Sequence, residues 1–600
     1  MNKKVSILLG MLAAVILFIG AGVWYASTFV NPVALTALIQ SSVKEASGRD
    51  VAIGGPVSLS IFPVMGVVAE QVSISNPSWA SQSEMVKLKR IDLDIKLLPL
   101  LKRNIEIGHI KLSGLDLYLQ TQKDGTGNWL LTPTSVHSNT NSGLPSDQGD
   151  MGVGTLNSPE EITVTDARIH FQNAGEAEQV YEIPKLSLVR SWDKTDIDLA
   201  LKTSGWTLGV KGKVSELYKL INDWDVRPTT MDANLELSLN GKSLVIAGTA
   251  QKMPAQIPTL NFSLRSKSFD LIPLAGAART TSTQGLASTK PSPSSTSPYL
   301  FSAKPIAFDL LPKVNGKITV NIGELVLPDR LPLQNVDASL QMEGDEIDLQ
   351  KLTFQLGAGL AEVKGTLSQF KGPVPIIALQ GHAKNFTLGN LLQNMDAKYK
   401  ATGGPIKMAF NLKGAGASVH QLLASSSGKI QFTVGQATMG TNFLNDGGDF
   451  VVTLLDAVNP LRKKTTQTTL ECAVAYLPVS NGRISIAKSV GVQTDRLNVV
   501  LSGGLNLKTE QVDLSIAPHE KSGLTTGFDL GGLVKIQGTL MQPKTAINKE
   551  SVVNSAISIG LGILTSGATI VAENAKSMAT KVQPCADALH PWSDIYPGMN

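Results

Sequence analysis

Cysteine is nearly absent from this chain, with 2 in 600 residues. That excludes a disulfide-built scaffold and any zinc site made of four thiolates. Charge is scarce too: 17% of residues, against roughly 25% in ordinary soluble proteins. The balance of 53 Lys+Arg against 49 Asp+Glu gives a net charge of +4. No concentrated basic face follows from that, which excludes nucleic acid as a partner. Aromatics are 5%. Low charge has two readings. Either the chain buries an unusual share of itself, or it keeps apolar surface for something other than water.

Sequence motifs that carry chemistry are missing as well. The histidines are His109, His137, His170, His382, His420, His519 and His590, too far apart for an H-E-x-x-H site. Gly241-Lys242-Ser243 ends like a phosphate loop, but Glu236 stands where a glycine is required. Gly152-x-Gly154, Gly414-x-Gly416 and Gly560-x-Gly562 lack the third glycine of a dinucleotide fingerprint, and no G-x-S-x-G elbow occurs. Asp446-Gly447-Gly448-Asp449 reads as a turn rather than a calcium loop. Asp92 and Asp94 are a carboxylate pair on one strand. Lys87, Lys89, Arg90 and Lys96 beside them favour a solvated ionic face over acid–base catalysis. Arg462-Lys463-Lys464 reads as a solvated turn. The expectation is a protein that is not an enzyme and uses no cofactor and no metal.

What is present begins with an apolar run. Val5, Ile7, Leu8, Leu9, Leu12, Val15, Ile16, Leu17, Phe18 and Ile19 lead to Trp24 and Tyr25. About 20 apolar residues span a bilayer as a helix, whereas the core of a cleaved signal is shorter, about 7–15. An uncleaved anchor is the favoured reading. Lys3 and Lys4 keep the N-terminus in the cytoplasm, which places the remainder beyond the inner membrane, in a periplasm. Asn31-Pro32 starts a short helix with its stripe at Leu35, Leu38, Ile39 and Val43, and Gly48 ends it.

From Val51 the period becomes two. Val57, Leu59 and Ile61 alternate with serines, as do Val72 and Ile74. Ile91, Leu93, Ile95 and Leu97 alternate with Asp92, Asp94 and Lys96. Leu115, Leu117 and Leu119 alternate with Asp116, Tyr118 and Gln120. Each run predicts a strand with one apolar and one wet face. The phase slips at Gly108, which predicts a bulge. Similar runs recur to Leu497–Leu501, and short turns between them predict antiparallel meanders. Gly316–Leu367, ending KGTL, and Ile162–Val214, ending KGKV, read as copies of one unit.

The expected plan has seven parts: a cytoplasmic tip and anchor (1–26), an N-terminal helix with strands (27–131), a flexible loop (132–158), a β-repeat region (159–274), a Ser/Thr/Pro linker (275–304), a second β-repeat region (305–548) and a helical C-terminal segment (549–600). Residues 551–572 carry no charge. A helical hairpin closing the sheet or touching a membrane surface suits them better than a second span. Cys472 and Cys585 either pair across an oxidising compartment or remain buried thiols.

Several of these stretches resemble the AsmA family of bacterial envelope proteins. The resemblance rests on Gly48-Arg49, on VAIGGPVSLSIFPVMGVVAEQVSISNPSWA at 51–80, on Leu98-Pro99-Leu100-Leu101 and on IEIGHIKLSGLDLYL at 105–119. It continues at Asp124-Gly125, Asn128-Trp129, LECAVAYLPVSNGRI at 470–484 and VQPCADAL at 582–589. The family carries no catalytic motif to transfer. The resemblance implies a mainly β protein of the bridge-like lipid transfer kind: an N-terminal transmembrane helix, then an elongated, curved antiparallel sheet folded like a taco around an apolar groove. The implied role is phospholipid transfer from the inner towards the outer membrane, supporting outer-membrane lipid balance and assembly. Phospholipids and outer-membrane or periplasmic envelope proteins are the implied partners. The alternative is a scaffold or chaperone-like protein that assists outer-membrane protein assembly without carrying lipid. On the lipid reading, the alternating residues from Val57 to Leu119 named above line the groove.

Overall fold

The computed structural model describes residues 40, 44, 48–60, 65–96, 107–130, 159–273, 299–328, 330–389, 391, 401–440, 467–495, 497–521, 534–547 and 583–599. The expected anchor, the helix after it, Ile61, Leu97, both polar segments (132–158 and most of 275–304) and residues 551–572 lie outside these. Among the described residues no helix is long and apolar enough to cross a membrane. The chain forms two compact units: Met1–Ala255 with Asp270–Thr289, and Gln256–Phe269 with Lys290–Asn600.

The first unit is a ladder of strands: β1 (Val51–Ile53), β2 (Val57–Ser60), β3 (Met65–Ser75), β4 (Glu84–Ile95), β5 (Ile107–Gln120), β6 (Glu161–Gln172), β7 (Gln179–Ser191), β8 (Lys194–Lys202) and β9 (Thr207–Ser215), then helix α1 (Leu217–Asp223), β10 (Thr229–Leu239) and β11 (Lys242–Lys252). β1 and β2 both pair with β3, and each later strand pairs with the one before it. Asn240-Gly241, with φ of 47° and 82°, makes the two-residue hairpin turn between β10 and β11, so this glycine serves a turn. The register slips between Leu93↔Ile110 and Ile95↔Ile107, which puts the extra residue of a bulge beside Gly108.

The second unit continues with β12 (Thr259–Asp270), β13 (Asn315–Val326), β14 (Leu333–Glu343), β15 (Glu346–Leu356), β16 (Gly359–Ser368), β17 (Ile376–Thr387), β18 (Ala401–Gly403) and β19 (Pro405–Ala415). Helix α2 (Val419–Ala424) precedes β20 (Ser427–Val434), β21 (Ala437–Gly440), β22 (Gln467–Ser480), β23 (Arg483–Thr494), β24 (Leu497–Asn506), β25 (Gln511–Glu520), β26 (Val534–Thr539) and β27 (Pro543–Ile547). Helix α3 (Pro584–Ala588) and a 3₁₀ turn at Trp592–Asp594 follow. Main pairing runs β17–β19–β20–β22–β23, while β18 and β21 form a side ladder on β22.

One expectation is corrected: the sheets are not wholly antiparallel. β5 and β6 are parallel, from His109↔Glu161 to Gln120↔Gln172. β12 and β13 also run the same way, with the Asn315 amide on Pro258 O at 2.8 Å and Ser268 Oγ on Glu324 at 3.0 Å. Parallel neighbours need a long crossover where antiparallel ones need only a tight turn. The two Ser- and Pro-rich segments are the connections that join these parallel neighbours. Each parallel joint opens a four-strand antiparallel meander, β6–β9 and β13–β16. These meanders are the two copies seen in the sequence. Their glycines, Gly212 and Gly365, face Leu235 and Leu379 of the next strand, where a Cβ would meet backbone oxygen at 2.1 and 2.5 Å.

Candidate functional site

Strand register turns the alternation into rows that cross the strands. In the first unit one row reads Val57, Ala69, Ile91, Leu112, Val164, Leu186, Leu199, Val210, Leu237, Leu244. Beside it runs Leu59, Val67, Leu93, Ile110, Ile162, Leu188, Ile197, Gly212, Leu235, Ile246. On the opposite face the matching row is Ser58, Val68, Asp92, Lys111, Thr163, Ser187, Asp198, Lys211, Glu236, Val245. One face is therefore apolar from β2 to β11, while the other is largely polar and ionic.

A crease crosses this sheet. Gln71, Gly114 and Asp166 have φ of 53°, 64° and 52° inside β3, β5 and β6. Past them the alternation shifts by one residue in each strand from β3 to β6, to Val72, Leu88, Leu115 and Ala167. An interrupted pleat bends a strand and resets which side chains share a face. Because β3 to β7 take the same step, the register among them is kept, and it slips where β7 meets β8. Apolar rows continue beyond the crease as Val72–Leu88–Leu115 and Ile74–Val86–Leu117–Ile169. Leu119 stands opposite Phe171, and Ile95 opposite Ile107.

A closed sandwich buries one of its two alternating faces. Here Leu115, Leu117 and Leu119 are only half-buried, as are Asp116, Tyr118 and Gln120 between them. In the first row above, Ala69, Val164 and Leu244 are buried and the other seven positions are half-buried. Among the described residues, no second layer covers this face.

The second unit repeats the arrangement. Phe354, Ala361, Ala383, Met408, Phe432, Ala475, Val490, Leu501, Ile516, Val534 and Ile547 form an apolar row from β15 to β27. Phe432 in this row and Leu379 on the same face are exposed. One end of this face is covered. Phe301 and Leu423 of α2 pack on Val479, Ile484, Ile486 and Leu507. Glu510, wholly buried, fixes this cap: it accepts the amides of Leu300 and Phe301 and lies 3.2 Å from His420 Nδ1, whose ring lies tilted against Tyr299.

The C-terminal segment is on the other face and runs along one row: Glu362, His382, Ala409, Gln431, Tyr476. Tyr596 donates to Glu362 at 2.9 Å and packs on His382. Ile595 meets Ala409, both wholly buried. Gln431, also wholly buried, donates to His590 O at 2.9 Å and accepts the His590 amide at 2.8 Å. The His590 ring stacks on Tyr476, and Lys407 lies 4.5 Å over Trp592. Cys472 and Cys585 are joined in a disulfide with Cα atoms 6.4 Å apart. Burial pushes the Tyr596 and Tyr476 phenols up, and holds the His382 imidazole and the Lys407 ammonium below their ordinary values. Of this strap the sequence offered the two cysteines and the family-like VQPCADAL at 582–589. The ties made by Gln431, Ile595 and Tyr596 have no signal of their own in the sequence.

The family-like residues at the start of the first unit converge at the Ser75–Gln120–Gln172 rim. Wholly buried Asn128 donates to Asn76 Oδ1 at 2.8 Å and to Tyr118 O at 2.7 Å, and it accepts the Gln120 amide at 3.0 Å. Arg49 reaches Asn128 O at 3.4 Å. Trp129 stacks over Gly127, where a Cβ would meet its ring at 2.4 Å, and lies 6.3 Å from Phe171.

The carboxylate pair considered in the sequence is divided between partners. Asp92 accepts Arg90, and Asp94 lies 3.1 Å from His109 Nδ1. Among the described residues no cluster of three His, Cys, Asp or Glu is placed to hold a metal ion.

These features define a class: a β-ladder protein that keeps one sheet face apolar and part-exposed and the other polar. The chain belongs to the AsmA family, whose sequence model matches residues 1–149 and 151–488. It is 20% identical over 513 residues to Protein AsmA of Escherichia coli (strain K12), covering 77% of this chain and 81% of that protein. It is 23% identical over 225 residues to the AsmA family protein YhjG of the same organism, a match spanning 36% of this chain and only 30% of that protein's length. No solved structure matches the chain.

Proposed function

We propose that this chain is an inner-membrane-anchored periplasmic protein, not an enzyme, that carries phospholipid acyl chains along its apolar sheet face towards the outer membrane. The supporting observation is the set of apolar rows that cross ten strands of the first unit and are half-exposed at most positions. An acyl chain costs about 0.8 kcal/mol per CH₂ in water, so a path across an aqueous space must be apolar along its whole length. Rows perpendicular to the strands offer that path, advancing about 4.8 Å per strand. Headgroups stay in water, so little headgroup selectivity is expected. Family membership supports work in the envelope. The test is mass spectrometry of lipid extracted from the purified chain: phospholipid at one or more molecules per chain supports a carrier, whereas a folded chain free of lipid refutes it and leaves the scaffold reading.

A further inference from the structure

The rim at which the chain enters the first unit also carries two exposed tryptophans. Asp50 donates its amide to Ser75 Oγ at 3.0 Å, and Arg49 reaches the main chain at Asn128. Trp79, Trp129 and Leu130 stand on this rim 39%, 42% and 57% exposed. Trp129 adjoins Phe171, which faces Leu119 across β5 and β6, so the apolar row nearest the strand ends borders this rim. The opposite rim differs. There Lys96–Glu160, Arg190–Glu216 and Lys219–Glu216 form ion pairs beside a single exposed indole, Trp192.

We infer that the rim bearing Trp79, Trp129 and Leu130 docks on the phospholipid bilayer itself, with the indoles at headgroup depth and the bordering Leu119–Phe171 row beside the acyl region. The occupant follows from the chain's own path. The apolar run closes at Trp24-Tyr25, and the chain enters the unit at Arg49 on this rim. Tryptophan favours the membrane–water boundary because its ring is apolar and its N–H is wet. Charge on the rim is mixed, with Lys123 and Arg49 near Asp124 and Glu176. Contact therefore rests on aromatic burial and not on anionic lipid. The inference rests on the anchor in the proposed function.

The experiment uses the full chain reconstituted in phosphatidylcholine vesicles containing phosphatidylcholine brominated near the headgroup end of its chains, with tryptophan quenching as the readout. Trp79→Phe and Trp129→Phe should each remove part of the quenched amplitude. Trp192→Phe, which changes an indole 95% exposed on the opposite rim, should remove none. The amplitudes should be the same when a third of the lipid is phosphatidylglycerol. Trp79 lies in an exposed turn, so its variant folds even where Trp129→Phe does not. Unchanged quenching in folded Trp79→Phe, or a loss in Trp192→Phe, overturns the docking. Trp24→Phe reports on the anchor separately. If it loses no quenching, the anchor reading is wrong; if only Trp24 is quenched, the anchor stands and the docking rim is wrong.

Discussion

Placing a carboxylate at Leu93 should stop lipid movement while leaving the fold in place. Leu93 sits in the second apolar row, between Val67 and Ile110, and is half-buried. Full burial of a leucine contributes about 1.5–3 kcal/mol, so Leu93→Asp costs folding about 1–2 kcal/mol. In a unit of this size that is a fall of roughly 2–8 °C in Tm. The charge remains hydrated as long as nothing covers it. An acyl chain passing over it strips that water, a penalty of several kcal/mol for an unpaired ion. Every ~1.4 kcal/mol is tenfold, so transfer past this row should fall by about 100-fold or more. The assay reconstitutes the full chain in donor vesicles and follows a fluorescent phospholipid into acceptor vesicles. Ser58→Asp is the control, because it adds the same charge to the exposed polar face. A folded Leu93→Asp chain that transfers at the original rate would refute the reasoning, and so would equal loss in both variants.

The strap on the second unit gives three further expectations. Cys585→Ser opens a loop of 113 residues, which costs about 4–5 kcal/mol in the chain-entropy treatment; denaturant midpoints should drop, and reductant should then have no further effect on the variant. Gln431→Leu strands the amide and carbonyl of His590, at about 1–3 kcal/mol for each buried group left unpaired, and should speed hydrogen exchange at 584–596 selectively. His382 is held neutral, chiefly by burial, below its ordinary value near 6.5. Its unfolded form takes up a proton first, so the second unit is most stable above that pH and loses stability as pH falls below it. Denaturation at pH 7.5 and 5.5 should show a larger drop for the native chain than for His382→Phe.

Much of this architecture was legible because strand periodicity is local. Leu115-x-Leu117-x-Leu119 names its own face, and the slip at Gly108 marks its own bulge. The crease was present too, as the shift from Ile91 to Leu88 and from Leu112 to Leu115, but it becomes a feature only when neighbouring strands shift together. Antiparallel meanders were overextended at two joints. Alternation is blind to strand direction, and only the length of segments 132–158 and 275–304 separates a crossover from a hairpin. The buried polar residues were not legible. Gln431 and Glu510 satisfy main-chain groups far away in sequence, at His590 and Leu300, and Asn128 reaches the Asn76 side chain. No spacing rule encodes such pairs.

A ladder held only by neighbour pairing yields to force like a zipper, one strand at a time from its edge. The C-terminal strap lies at right angles to that failure. Tyr596 is tied at Glu362 on β16, His590 at Gln431 on β20 and Cys585 at Cys472 on β22. A load on any of these strands is shared among all of them, so peeling becomes shear of several ladders at once. The second unit should therefore give way to pulling in one large step across β16–β22, while the described strands of the first unit, which carry no such tie, unzip in small ones.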